Sequence, residues 1–350
     1  MSFKRFVFKT VMFFVFPIII VGIVEVILPI NLFTFRNYEA LKFSNEKIPH
    51  IGPFYPNEYL EMNSVGDLCS HSKFSVEKKE VWKTDKLGFR NTIFHKRSDI
   101  VVFGSSFIYG TGLSQNHTFN EQLAREMNCT VYNFAPNSIN DFELLVRKDS
   151  LDYPKVIIYA IGDWYVPSPY KEITNTTENN IFSFIKSFFY KGLNKCLDRS
   201  TRFYSFYWCK SKVLKTNHFY QSKQNQNMFF GRGDKYVSLD SDQITATIKN
   251  LKNIQSYCKS KKIKFFYVTT PSKELVYRDF IHNSIPSDFY SKLSEKLSES
   301  NIKGVDGLKI FNQHRKLSSK LLYHTDDTHW NKLGVYLVTK EICKVISLNK

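Results

Sequence analysis

The sequence predicts an α/β protein: a parallel sheet with helices on both faces, preceded by one N-terminal transmembrane helix. Short apolar runs alternate with helix-patterned stretches from Asp99 onward. The run over 156–161 is apolar throughout, as a strand buried on both faces is. The chain also opens with a long apolar stretch behind three cations. Hydrophobic residues make up 43% of the chain and charged residues 23%, which excludes wholesale disorder; the low glycine and proline content excludes collagen-like and linker-dominated chains. A length of 350 residues suits one large α/β domain with insertions, or two modest domains.

The first element follows from charge and length. Lys4, Arg5 and Lys9 precede an uncharged run over 10–24, and apolar character resumes after Glu25 as far as Phe33. The stretch 6–33 exceeds the roughly 20 residues a helix needs to cross a bilayer core. Glu25 and Pro29 fall toward its far end, where a carboxylate can reach the interface. No small-residue cleavage site follows, so the stretch reads as an uncleaved signal anchor over residues 1–36. The preceding cations keep the N-terminus cytoplasmic and put the C-terminal domain on the extracytoplasmic side, single-pass. The alternative is a buried helix of a soluble protein.

Residues 37–97 are polar and irregular with strand-like pieces, and are expected to wrap the main domain over 98–350. Within that domain strands are expected over 100–103, 130–134, 156–161 and 263–269. Helices are expected over 118–127, 141–148, 244–261, 289–298 and 330–346. The alternation breaks over about 164–243, which reads as an insertion. There Lys186, Lys191, Lys195, Arg199, Arg202, Lys210, Lys212, Lys215 and Lys223 are interleaved with aromatics such as Phe188, Phe203 and Trp208. This pattern fits a lid or a membrane- or glycan-facing surface, and equally amphipathic helices with aromatics inward and lysines solvated.

The formal charge of +17 favours anionic partners. No zinc-knuckle spacing, RNP-like segment or continuous basic helix accompanies it, so no specific nucleic-acid partner is expected. None of the six cysteines forms a CxxC pair, which argues against a thiolate zinc site; Cys196 and Cys209 are the nearest pair in sequence.

Two segments carry chemistry. Gly104-Ser105-Ser106-Phe107 follows an apolar strand directly, and open parallel sheets place ligands at the carboxyl ends of their strands. A serine there can act as a nucleophile if a base reaches it. The second segment is Asp326-Asp327-Thr328-His329-Trp330-Asn331-Lys332-Leu333-Gly334, with a histidine before a helix and acids two and three positions earlier. Such an imidazole can take a serine proton while a carboxylate fixes its tautomer. On its own the segment could also hold a metal, with His324 as the only histidine nearby, or cap a helix through Asp327 or Thr328.

Together the two blocks resemble the SGNH (GDSL-type) hydrolase family, membrane-anchored exported branch. Its Gly-Asp-Ser-Phe block matches Gly104-Ser105-Ser106-Phe107, continued by Tyr109-Gly110-Thr111-Gly112-Leu113. Its Asp-x-x-His block, followed by Asn and Gly, matches Asp326, His329, Asn331 and Gly334. The lead-in Thr84-Asp85-Lys86-Leu87-Gly88-Phe89-Arg90-Asn91 is similar to that of anchored, exported members. The resemblance implies a flavodoxin-like three-layer sandwich and a catalytic set of Ser106, His329 and Asp326, with Asp327 the acid in a tighter Asp-x-His reading. It implies no cofactor and no metal.

The middle blocks depart from the pattern. The glycine whose amide helps bind the oxyanion is matched by Ser138, and the asparagine of Gly-x-Asn-Asp is replaced by Gly162. An oxyanion hole of Ser106, Ser138 and Asn137 is therefore expected, with Asn137 or Asn140 supplying the missing side-chain donor. The expected activity is that of a membrane-anchored serine esterase or O-acyltransferase acting on acyl esters of exported carbohydrate or lipid-linked glycan. The Thr-His-Trp-Asn run resembles alginate-type acetyltransferases as well as hydrolases. The alternative is a non-catalytic glycan-binding or assembly protein on the same fold.

Overall fold

The computed structural model describes residues 3–28, 32–43, 51–70, 72–173, 219–222, 227–232, 239–281 and 288–348, with 198, 208, 209 and 213. Most of the basic, aromatic insertion, including Cys196 and nearly all of its lysines, lies outside the described residues.

Helix α1 (Phe3–Ile27) is apolar around its whole circumference. Its stretch Phe3–Val24 has a mean hydropathy of 2.5 and buries nothing against the rest of the chain. A helix that is apolar on every side and has no protein to cover it satisfies the length and composition of a membrane span. Among the described residues it is the one helix that does so.

A short helix α2 (Asn37–Leu41) follows, then an antiparallel pair, β1 (Tyr59–Ser64) and β2 (Lys78–Lys83). These are the strand-like pieces expected over 37–97. Their packing ties the chain after α1 to the body. The Val65 amide donates to the Phe35 carbonyl at 3.1 Å, and the Asn37 side chain donates to Ser64 Oγ at 2.9 Å.

The main sheet is parallel and five-stranded. Its strands are β3 (Ile100–Phe103), β4 (Val131–Asn133), β5 (Val156–Gly162), β8 (Lys264–Thr270) and β9 (Gly304–Val305), in spatial order β4-β3-β5-β8-β9. A small antiparallel pair, β6 (Tyr220–Gln221) and β7 (Phe229–Phe230), lies apart from it. The order makes the sheet flavodoxin-like: the chain passes from β3 to one neighbour and returns to its other side at β5. The crevice at that reversal, outside the carboxyl ends of β3 and β5, is where such sheets hold ligands.

Alternation along the buried strands divides the core into two layers. Ile100 and Val102 face one side with Phe119, Leu123, Val335, Val338 and Ile342. Val101 and Phe103 face the other with Ile139, Phe142, Leu251 and Leu293. The first layer is supplied by α4 (Phe119–Met127) and α10 (Lys332–Ser347), the second by α5 (Ile139–Arg147), α6 (Ser241–Ser260) and α8 (Phe289–Glu299). The expected strands and helices are all present with ends shifted by a few residues. The sequence reading missed α9 (Gly307–Leu317), capped by the Asp306 carboxylate, and β9, whose two residues are too few to show a period.

Cys209 is an exposed thiol, and Cys196, its nearest partner in sequence, lies outside the described residues.

Candidate active site

The nucleophile loop begins where β3 ends. Gly104 sits at φ +155°, and a Cβ there would come within 2.6 Å of Ile108 and 2.8 Å of Ala160. Only glycine lets the chain turn this sharply against the sheet. The turn delivers Ser106 as the first residue of the four-residue helix α3 (Ser106–Tyr109). The Ser105 and Ser106 carbonyls accept from the Tyr109 and Gly110 amides. Ser105, at the family aspartate position, packs its hydroxyl inward with no hydrogen-bond partner among the described residues.

Arg90, from the lead-in motif, fastens the far side of this loop. Its buried guanidinium donates to the carbonyls of Tyr109 at 3.0 Å, Leu113 at 2.6 Å and Gly110, and lies 3.7 Å over the Trp82 ring. Burial pushes its pKa down to about 9, with Glu80 opposing. The sequence reading placed this arginine in a resemblance without giving it a task.

The histidine loop approaches from the other side. Tyr323 and Trp330 pair at its base, and the His324 amide donates to the His329 carbonyl at 3.2 Å. Lys273, at the start of α7 (Lys273–Val276) beyond β8, donates to the carbonyls of His324 at 2.7 Å and of Thr325 and Asp327 at 3.0 Å. Burial lowers its pKa to about 8, although the nearby carboxylates oppose the fall. The Trp330 indole N–H donates to the Phe107 carbonyl at 3.1 Å, so the two loops are bonded to each other.

Ser106 and His329 meet: Oγ lies 2.8 Å from Nε2. Nδ1 lies 2.6 Å from Asp327 Oδ1, and the His329 amide donates to the same oxygen at 2.9 Å. With a carboxylate as acceptor, Nδ1 carries the proton and Nε2 is left to accept from the serine hydroxyl. Burial opposes protonation of His329, but Asp327, its hydrogen bond and Asp67 outweigh it and hold the pKa above the ordinary histidine value. Burial likewise opposes ionisation of Asp327, and His329 and Lys78 overcome it, keeping the carboxyl well below its usual range.

Asp326 is elsewhere, which corrects its expected place in the catalytic set. One of its oxygens accepts from the Gly66 amide at 2.8 Å and the Val76 amide at 2.9 Å, and the other lies 3.7 Å from Lys78. The two neighbouring aspartates take different partners, and Asp327 is the one that faces the imidazole. A Cβ on Gly66 would fall 2.1 Å from the Asp326 carbonyl oxygen, so this close approach requires glycine.

The other expected oxyanion donors, the Ser138 amide and the asparagine side chains, are also committed elsewhere. The Asn137 amide group donates to the Ile51 carbonyl at 3.2 Å. Ser138 caps α5, its own amide donating to Asp141 Oδ2 at 2.9 Å and its hydroxyl accepting from the Asp141 amide. Asn140 donates to the Pro169 carbonyl at 3.2 Å. Capping a helix satisfies an otherwise orphaned backbone donor, and that need outweighs a distant site. A side chain at Gly162 would meet the Trp164 ring at 2.7 Å, so the indole occupies the space of the family asparagine. Of the three expected donors, Ser106 alone remains, its amide unengaged among the described residues.

Beside Ser106 and His329 lies an open cavity of about 460 Å³. Phe107, Trp164, Arg232, Lys273 and Thr328 contribute to its wall. Asp67 reaches it from the turn after β1, which the sequence reading did not single out. Asp67, Asp327 and His329 bring ligand-type atoms within 4.8 Å of one another, a spacing that a cation can bridge. Each already has a protein partner: Thr328 for Asp67, His329 for Asp327, and Ser106 for His329 Nε2.

A parallel sheet of this order, with a serine after its first strand and a histidine before its last helix, is similar to the arrangement of SGNH-type α/β proteins. Residues 224–350 match the family model of the SGNH hydrolase-like domain, acetyltransferase AlgX. No curated protein matches the chain in sequence. Among solved structures, a putative lipolytic protein of the G-D-S-L family from Desulfitobacterium hafniense DCB-2 is 12% identical, covering 72% of this chain and 99% of its own at a TM-score of 0.37. The acetyl xylan esterase AlAXEase is 11% identical over 71% of this chain and 99% of its own, at a TM-score of 0.34. The salicylyl-acyltransferase SsfX3 of a tetracycline biosynthetic pathway is 11% identical over 85% of this chain and 77% of its own, at a TM-score of 0.35.

Proposed function

We propose that this protein is a membrane-anchored serine esterase or O-acyltransferase acting on acyl esters of exported carbohydrate or lipid-linked glycan. Ser106 is the nucleophile, His329 the general base and Asp327 the acid that orients it. One observation carries the reading: an unbroken line of short hydrogen bonds, Ser106 Oγ to His329 Nε2 and Nδ1 to Asp327, beside an open cavity at the sheet's carboxyl edge. Such a line is what nucleophilic acyl transfer needs.

Ser106 Oγ attacks the ester carbonyl while His329 Nε2 takes its proton. The tetrahedral intermediate collapses to an acyl-serine as His329 returns that proton to the departing alkoxide. Water or a sugar hydroxyl, deprotonated by the same imidazole, then attacks the acyl carbon and regenerates Ser106. Backbone N–H groups at the Ser106 turn hold the oxyanion. The apolar α1 and the cations before it support a domain tethered on the extracytoplasmic side.

Labelling of Ser106 by a fluorophosphonate probe tests the reading. Labelling that disappears in Ser106→Ala is the expected result. Absence of labelling in the wild-type protein, with the fold intact, would favour a glycan-binding protein, the reading supported by the engagement of Asn137 and Ser138 elsewhere.

A further inference from the structure

We propose that Asp67 is a positioning residue of this site: together with Asp327 it flanks the Nδ1 edge of His329, and its negative charge favours the imidazolium that forms during reaction. The proposal rests on the reading of Ser106 and His329 as nucleophile and base.

The position of Asp67 is fixed on both sides. The Gly66 amide donates to the Asp326 side chain at 2.8 Å and the Leu68 amide donates to the Asp326 carbonyl at 3.1 Å. Between them, the Asp67 amide donates to Asp327 Oδ2 at 3.3 Å. The Asp67 carboxylate accepts from both donors of Thr328, the amide at 2.8 Å and the hydroxyl at 2.6 Å. This arrangement holds Oδ2 3.9 Å from His329 Nδ1. That distance is too long for a hydrogen bond and short enough for a direct charge interaction. The Nδ1 proton belongs to Asp327 at 2.6 Å, so Asp67 contributes charge without competing for the proton.

Asp67 sits among charges of both signs. Burial and then Asp327 raise its carboxyl pKa above the ordinary carboxylate value, and His329, Arg36 and the Thr328 hydrogen bond hold that rise back. Arg36 comes from the segment before α2, and it faces both Asp67 and Asp327. Lys78 lies beside Asp326 and acts on Asp327, and Lys273 faces Asp67, Asp326, Asp327 and Glu274. His324 is pushed down to about 3 by burial and then by Lys78, so it stays neutral. Three cations therefore balance the acids around His329, and one of those acids comes from outside the parallel-sheet domain.

Asparagine separates charge from hydrogen bonding. Its oxygen can still accept from the Thr328 amide, and its NH₂ can donate to a rotated Thr328 hydroxyl. The test uses the full-length protein in detergent and measures the rate of fluorophosphonate labelling against pH. Asp67→Asn should lower the maximal rate roughly tenfold, since one charge near the imidazolium is lost. It should also move the acid limb of the profile to lower pH. Asp67→Ser, a second neutral variant, should move the limb the same way and serves if the asparagine variant does not fold. A rate and limb unchanged in a folded neutral variant overturn the proposal. If wild-type protein does not label at all, the nucleophile reading fails, and ¹³C-histidine NMR titration of His329 still decides the role of Asp67. An unmoved titration in Asp67→Asn overturns the proposal; a fall supports it.

Discussion

At the scale of single residues, the choice between two adjacent aspartates decides the chemistry. The sequence offered Asp326 and Asp327 at the two spacings an acid can take, and the backbone turn aims only Asp327 at Nδ1. Asp327→Asn should lower labelling or turnover by about 10⁴-fold, because an amide can stabilise the wrong tautomer and cannot balance an imidazolium. Asp326→Asn should keep most of the activity and instead destabilise the fold by about 1–3 kcal/mol, because the buried Gly66 amide and the part-buried Val76 amide lose a charged acceptor. Equal losses of activity in the two variants, with equal melting temperatures, would contradict this division. The pH dependence follows from the direction of the His329 shift. Its pKa is held above the ordinary value, so the neutral base accumulates only at higher pH, and labelling should rise through a midpoint above about 6.5. The same shift has the opposite sign for stability. The contribution of His329 to folding is full below the unfolded value and fades as pH rises through the folded one. A labelling profile with its midpoint below 6 would contradict the geometry of the two carboxylates.

At the scale of elements, the site depends on how the His329 loop is fastened. Asn331 caps α10 through its side-chain oxygen, accepting from the Leu333 amide at 2.9 Å and the Gly334 amide at 3.2 Å. Its NH₂ donates back to the Leu321 carbonyl at 2.7 Å and the Tyr323 carbonyl at 3.3 Å. Asn331→Ala should therefore cost about 1–3 kcal/mol, read as a lower melting temperature, since a cap and a loop clasp are lost together. Lys273 fastens the other arm of the loop. Lys273→Met leaves three carbonyls without their donor and should lower both stability and labelling rate, with the larger effect on rate if the loop loosens. Strand and helix identities were legible beforehand because buried strands and amphipathic helices write their period into the chain. Lys273 was not legible, because nothing in a lysine's neighbours along the sequence announces three carbonyls brought from fifty residues away.

At the scale of the whole molecule, the segment after α1 and the site are linked through a short chain of contacts. Phe35 bonds to Val65, Gly66 to Asp326, and Asp327 to His329. An anchored site would thus work close to the membrane surface. A reporter active only outside the cytoplasm, fused after Lys350, should be active, and alkaline carbonate should leave the protein in the membrane fraction. Activity of a cytoplasm-dependent reporter at the same point would reverse the proposed topology.

The sequence by itself determined the layered α/β architecture and the apolar leading helix, and its resemblance to a known family pointed to Ser106 and His329. The first two are set by local pattern: hydrophobic period and uninterrupted apolar length. Tertiary structure alone decided which aspartate faces the imidazole, that Asn137 and Ser138 are spent on Ile51 and on a helix cap, and that Trp164 fills the space above Gly162. It also brought Asp67 and Arg36 to the site from the segment that follows α1. These choices depend on side-chain direction and on which buried donors must be satisfied first, and both are settled only when distant segments pack against one another.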